Sequence, residues 1–314
     1  MLRASLAAAS ALALASCATQ GPPAFVNPVL PADFPDPAVL RAADGAFYAY
    51  ATQTERAGKW INIQVARSAD LVHWEELGDA LPAKPAWAAA KQQFWAPHVL
   101  YDAERRTYFM YYSAEPDGAT GKCLAVASAA APSGPFVDSG RPLLCGEGIE
   151  NIDPMAFDDP RSGKRLLYWG SGGAPLRVQE LAADRLGFLP GSAARELLFP
   201  DAAKPYRALI EAPWVVYREP DYFLFYSGDR CCAREPRYAV MVARSGDAEG
   251  PFEDRSDPIL EAGGGWIAPG HCSVIADDAG GDWILYHAYR APGGAREMLL
   301  DRLRWDRGWP ALSR

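Results

Sequence analysis

Apolar residues along this chain fall in short aromatic clusters, and the clusters repeat. Phe47-Tyr48-Ala49-Tyr50, Tyr108-Phe109-Met110-Tyr111-Tyr112, Leu166-Leu167-Tyr168-Trp169, Tyr222-Phe223-Leu224-Phe225-Tyr226 and Trp283-Ile284-Leu285-Tyr286-His287 recur at intervals of roughly sixty residues. Runs of this length and composition, bounded by Asp and Gly, predict β-strands. About ten to thirteen residues before each lies a shorter apolar strand with a polar or aromatic opening: Asp36, the Trp95-Ala96-Pro97-His98 group, Asp153, Glu211 and His271. A third apolar piece follows in several copies, at Val65-Ala66-Arg67-Ser68, Val126-Ala127-Ser128 and Val242-Ala243-Arg244-Ser245. Behind these come Leu71-Val72-His73-Trp74, Gly134-Pro135-Phe136 and Gly250-Pro251-Phe252.

Five copies of a small antiparallel sheet predict an all-β fold, a five-bladed β-propeller. The period exceeds the usual blade repeat of about 40–50 residues, so long loops are expected between strands. In a propeller the first strand of every blade lines the axis, so the five openings should converge at one end of it.

Three of those openings carry a carboxylate close to a proline: Asp36-Pro37, Asp153-Pro154 and Glu211-Ala212-Pro213. An Asp before Pro is ordinarily a turn residue, and a Glu in an apolar strand is costly without a reason. Three such carboxylates around one funnel suit acid–base cleavage of a glycosidic bond. His271 is the fifth opening, whereas His287, inside an aromatic strand, reads as a packing residue.

In these motifs, one per repeat and in order, the chain resembles glycoside hydrolase family 43 from about Asn27 to Pro310. The matching segments are Asp36-Pro37, Trp95-Ala96-Pro97-His98, Ile152-Asp153-Pro154, Glu211-Ala212-Pro213 and Pro269-Gly270-His271. Ala212 stands where many relatives have glycine. The resemblance implies an inverting pentosidase acting on plant cell-wall pentose oligosaccharides or polysaccharides. Asp36 would be general base, Glu211 general acid, and Asp153 the residue that orients the acid and raises its pKa. It also implies a hydrated metal, often calcium, near the residue matching His271, which would reach it through water because calcium prefers oxygen ligands. The sequence shows no carboxylate cage for such an ion, and no cofactor is required. Arg296 matches a position where relatives present an arginine to substrate, against the simpler reading of a solvated edge charge. Trp95 is the first candidate for a sugar-stacking platform, with Phe34 and Trp60 behind it. Ser171 either faces the funnel or serves its turn.

The Cys231-Cys232 pair and the run from Arg296 to Pro310 resemble arabinan-degrading members, which favours α-L-arabinofuranosyl linkages in arabinan or arabino-oligosaccharides. A β-xylosidase or other pentosidase is the first rival. A non-catalytic surface glycan-binding propeller is the second; its mark would be a lost carboxylate, and all three are present. The Asn-Asp-Pro and Arg-Asp-Pro motifs of retaining sucrose- or fructan-type enzymes are absent.

The N-terminus adds location. Arg3, an Ala/Leu/Ser-rich stretch and Leu14-Ala15-Ser16-Cys17 read as a lipoprotein signal peptide over 1–16 with lipidation at Cys17. A tether over 17–31 and a catalytic domain over 32–314 would follow. Ala18 favours the outer membrane of a Gram-negative host, periplasmic or surface-facing, with the lipid as the membrane contact. Export permits disulfides: Cys123–Cys145 is a plausible pair, and one of Cys231 or Cys232 is matched provisionally with Cys272. A net charge of −8 without a basic stripe argues against nucleic acid and anionic membranes. Asp158-Asp159 and Asp277-Asp278 fall at expected blade turns and read as solvated.

Overall fold

Each aromatic run forms the second strand of a sheet. In the computed structural model, which describes residues 24–313, five antiparallel sheets succeed one another along the chain. Blade one contains Ala38–Arg41, Phe47–Ala51, Gln64–Ser68 and Trp74–Asp79. Blade two contains Phe94–Asp102, Thr107–Ala114, Cys123–Ala129 and Val137–Asp138, with Leu144–Cys145 also paired to its third strand. Met155–Asp158, Arg165–Trp169, Leu176–Glu180 and Arg195–Leu198 make blade three. Blade four is Ile210–Arg218, Asp221–Arg230, Arg237–Ser245 and Glu253–Asp254. Ile267–Ala276, Asp282–Tyr289, Glu297–Asp306 and Trp309–Leu312 make blade five.

The inner strand of each blade touches that of the next, and the fifth touches the first, so the ring is closed. This is the predicted propeller. Both faces of the second strands are covered, which is why they read as continuous apolar runs instead of alternating ones. The core lies between blades. Tyr50, Phe94 and Tyr112 pack between blades one and two, and Tyr111, Leu167 and Trp169 between two and three.

Two third strands, Leu176–Glu180 and Glu297–Asp306, carry no repeat signature strong enough to read beforehand. A separate hairpin, Thr54–Arg56 with Lys59–Ile61, projects from blade one and supplies part of the long period. The stretch expected to be a tether is partly built in. Val29 and Leu30 donate their N–H groups to the Met298 carbonyl, and the Asn27 side chain bonds Leu300 in both directions. The signal peptide and Cys17 lie outside the described residues. No helix among the described residues is long and apolar enough to cross a membrane.

Cys123 and Cys145 are bonded, joining the third strand of blade two to its extra strand. The provisional match to Cys272 is overturned. Cys231 and Cys232 are bonded to each other, while Cys272 is free and buried in the core on an inner strand. The acidic pairs sit at turns but are not simply solvated. Asp158 and Asp278 pair with Arg185 and Arg41, Asp159 is buried beneath Tyr222, and Asp277 accepts from the Trp283 indole.

Candidate active site

The five openings occupy equivalent backbone positions. Asp36, Ala96, Asp153, Ala212 and His271 all have positive φ, of 59°, 46°, 60°, 55° and 48°. The first four precede a proline, where an extended backbone is the rule. Left-handed conformations are strained for L-residues and persist only where surroundings fix them. Here the fixing groups come from the neighbouring blade. The Asp36 N–H donates to Nδ1 of His287, that of Ala96 to Oγ1 of Thr52, that of Asp153 to Oγ of Ser113, and that of His271 to Oγ of Ser227. Thr52, Ser113, Ser227 and His287 follow or close the aromatic runs of the second strands, and all are buried. Ser171 holds the fifth such position but reaches Oε2 of Glu211 instead, while the Ala212 N–H goes to Oδ2 of Asp153. A belt of hydroxyls and one imidazole thus ties each blade to the next around the funnel floor.

Asp36 is ringed by polar groups. Thr52 donates to its Oδ2 at 2.5 Å, and Arg296 Nη1 lies 3.1 and 3.4 Å from its two oxygens. Nδ1 of His271 and Nδ1 of His287 stand 3.3 and 3.2 Å from Oδ1. Burial opposes ionisation of Asp36, but Arg296, His271 and His287 outweigh it and hold the carboxyl well below its ordinary value. Burial brings His271 down to about 4 and lowers His287 too, so both are neutral near pH 7. The standing counter-charge at that pH is therefore Arg296.

Glu211 is in the opposite situation. Burial raises its pKa, hydrogen bonds from Ser171 (2.6 Å) and Tyr238 (2.7 Å) work against that, and the charge of Asp36 raises it further; the net direction is upward. Its partners are neutral hydroxyls, and no cation is in ion-pair range among the described residues. Burial also pushes Asp153 well above its ordinary value, reinforced by the charges of Glu211 and Asp36. Two buried like charges cannot both ionise cheaply, so Asp153 and Glu211 together retain a proton that Asp36 gives up. Gly270 admits this arrangement, because a Cβ there would overlap the Tyr238 ring on its way to Glu211.

Asp36, Asp153, Glu211, His271, Arg296 and Trp95 all line one cavity of about 570 Å³. Trp60, from the hairpin of blade one, and Ile149 supply exposed apolar surface to the same cavity. One face of Trp95 is covered by Lys122, whose Nζ lies 3.5 Å from the ring centroid and donates to Gln93 Oε1. Two expectations need correction. Phe34 is fully buried in the core between blades five and one and does not reach the cavity. Ser171 is also fully buried and touches the Glu211 carboxylate, not the open space. His287, read as packing, instead contacts Asp36. Thr52 and Tyr238 were missed altogether.

Calcium takes six to eight oxygen ligands. Beneath His271 there is only a pocket of about 10 Å³, room for a single water, walled by Pro37, Pro97, Pro154, Pro213 and Met155 among others. Among the described residues no group of three or more His, Cys, Asp or Glu side chains is placed to hold a metal. Those side chains thus form no direct cage, and a hydrated ion near His271 would have to reach it through water.

A family model described as glycosyl hydrolases family 43 matches residues 25–310. The extracellular endo-α-(1→5)-L-arabinanase 1 of Bacillus subtilis (strain 168) is 27% identical over 298 residues, covering 88% of this chain and 86% of that protein. The extracellular exo-α-(1→5)-L-arabinofuranosidase ArbA of Cellvibrio japonicus (strain Ueda107) is 26% identical, covering 89% and 86%. The crystal structure of a thermostable family-43 glycoside hydrolase superposes with a TM-score of 0.78 at 26% identity, over 93% of this chain and 96% of the other.

Proposed function

The chain belongs to glycosyl hydrolases family 43 and is a glycosidase, and on that premise we propose that it cleaves α-L-arabinofuranosyl linkages in arabinan or arabino-oligosaccharides with inversion. One observation carries the mechanism: a single cavity is lined by one carboxyl paired with a guanidinium and by a buried pair of carboxyls that burial and mutual repulsion dispose to share a proton. In this reading Asp36 takes a proton from a water as its oxygen attacks the anomeric carbon. Glu211, protonated, gives its proton to the departing glycosidic oxygen on the opposite face of the sugar. Asp153 is the positioning residue of the pair, since it fixes the Ala212 N–H next to Glu211 and adds the negative field that keeps the acid protonated. Arg296 sets the ionisation of Asp36. The free face of Trp95 suits the C–H face of a pentose.

The arabinan preference is supported by the two arabinan-acting relatives, one named as endo-acting and one as exo-acting. A second cavity of about 610 Å³ shares Ile149 with the first as a lining residue, which supports a substrate longer than one sugar. Export with lipidation at Cys17 and residence on the outer membrane belong to the same proposal. They are supported by the Leu14-Ala15-Ser16-Cys17 motif and by relatives named extracellular.

The test is product analysis on debranched arabinan, arabino-oligosaccharides and xylo-oligosaccharides, with proton NMR following the first anomer released. Release of the inverted anomer from arabinosides is the expected outcome. Release from xylosides alone would replace the substrate, and a retained configuration would overturn the mechanism.

A further inference from the structure

The adjacent cysteines offer chemistry that the hydrolytic reaction does not use. Both Cys231 and Cys232 line the catalytic cavity. Cys232 Sγ lies 3.8 Å from Arg296 Nη1 and 3.8 Å from the Tyr289 hydroxyl. That same Nη1 is the atom 3.1 Å from Asp36 Oδ1. The sulfur therefore stands behind the counter-charge of the base. Cys231 packs against the cluster of Tyr238, Ala268 and Tyr289, and Tyr238 is the residue that holds Glu211.

We infer that the Cys231–Cys232 disulfide positions Arg296 on Asp36, and that opening it with a dithiol reversibly slows the enzyme. This rests on the reading of Asp36 as the base. A disulfide sulfur is neutral and a weak acceptor, so it supports the guanidinium without drawing charge from it. Reduction proceeds by attack of a reductant thiolate on one sulfur, giving a mixed disulfide and releasing one cysteine. The reductant's second thiolate then displaces the other cysteine. Two electrons and two protons pass to the protein, and the dithiol leaves as its cyclic disulfide. A thiol facing a guanidinium is driven toward thiolate. That anion would compete with Asp36 for Arg296, so the base would lose counter-charge just as the wall of the cavity loosens. The bond lines an open cavity, where a small dithiol has access.

The experiment uses the full chain before and after dithiothreitol, with alkylation and peptide mass mapping to show which cysteines opened. The titration of Asp36 is followed by carboxyl carbon-13 NMR, assigned with Asp36→Asn, and kcat/KM on 4-nitrophenyl α-L-arabinofuranoside is measured across pH. Opening of Cys231–Cys232 should raise the Asp36 pKa and the acid limb of kcat/KM together by about one unit, lower kcat by about tenfold, and reverse on reoxidation. A Cys231→Ala/Cys232→Ala variant should not respond to dithiol, whereas Cys123→Ala/Cys145→Ala should respond like wild type. An unmoved Asp36 titration with the bond shown to be open overturns the inference, as does a response confined to the Cys123–Cys145 pair. If the oxidised chain cleaves no arabinoside, the functional reading fails, and the NMR titration still decides the role of the disulfide.

Discussion

Tyr238 donates its hydroxyl to Oε1 of Glu211 at 2.7 Å, and its ring stacks on His287, which in turn receives the Asp36 N–H. One tyrosine therefore touches both Glu211 and the imidazole that supports Asp36. Its bond to Glu211 favours the ionised carboxylate and so restrains the upward shift that burial produces. Tyr238→Phe should raise the Glu211 pKa, because a hydrogen bond to a charged group contributes about 1.5–3 kcal/mol. The alkaline limb of kcat/KM should move up by about one pH unit or more. An alkaline limb that stays put would remove Tyr238 from control of the acid.

Asp36→Asn and Glu211→Gln should each cut turnover by at least about 100-fold, the lower end for loss of a general acid or base. Wild type should show a bell-shaped pH profile. Its acid limb should fall below the usual aspartate range, since Asp36 is held down, and its alkaline limb above the usual glutamate range. Near-normal rates in either variant, with unchanged thermal melting, would reassign these carboxylates.

On the reading of Trp95 as a sugar platform, Lys122 would act on substrate through that ring. Its ammonium holds the hidden face of the ring, and cation–π contacts of this kind contribute about 0.5–2 kcal/mol. Lys122→Met should raise KM severalfold with kcat little changed, whereas Trp95→Ala should raise KM further. A fall in kcat without a change in KM would mean that the pair does not serve as a platform.

His98 sets part of the acid sensitivity of the fold. It is buried against Trp214, its Nδ1 accepts from the Ala156 N–H, and burial lowers its pKa to about 3. An unfolded histidine titrates near 6.5, so the stability from keeping His98 neutral is fully present above that pH. It is lost as pH falls toward 3. His98→Gln should flatten the dependence of unfolding free energy on pH over this window by up to about 1.4 kcal/mol per pH unit. Parallel curves for wild type and variant from urea titrations at several pH values would contradict it.

The repeat was legible because the second strands are buried on both faces and so carry unbroken aromatic runs, as in Tyr222–Tyr226. The openings Asp36, Asp153 and Glu211 stood out because a carboxylate beside proline in an apolar setting is unusual. The groups that tune them were less visible. Thr52, Ser113, Ser171, Ser227 and His287 follow or end the aromatic runs at matching places, a periodic signal that was present but spread over four ordinary hydroxyl residues and one imidazole. Tyr238 gave no signal, since one more tyrosine in a strand-rich chain looks like packing. Phe34 misled for the converse reason. It stands two residues before Asp36, where an extended chain would put both side chains on one face, but the left-handed φ of Asp36 breaks that alternation and leaves Phe34 in the core.

Asp36 lies in the first blade, while His287 and Arg296 come from the last, and the N-terminal segment is pinned to the third strand of that same last blade through Met298. A chain emerging from synthesis thus carries Asp36 early, without the partners that ionise it. On the proposed roles, hydrolytic competence would arrive with the last blade, truncated chains would be silent, and activity itself would report that the ring has shut.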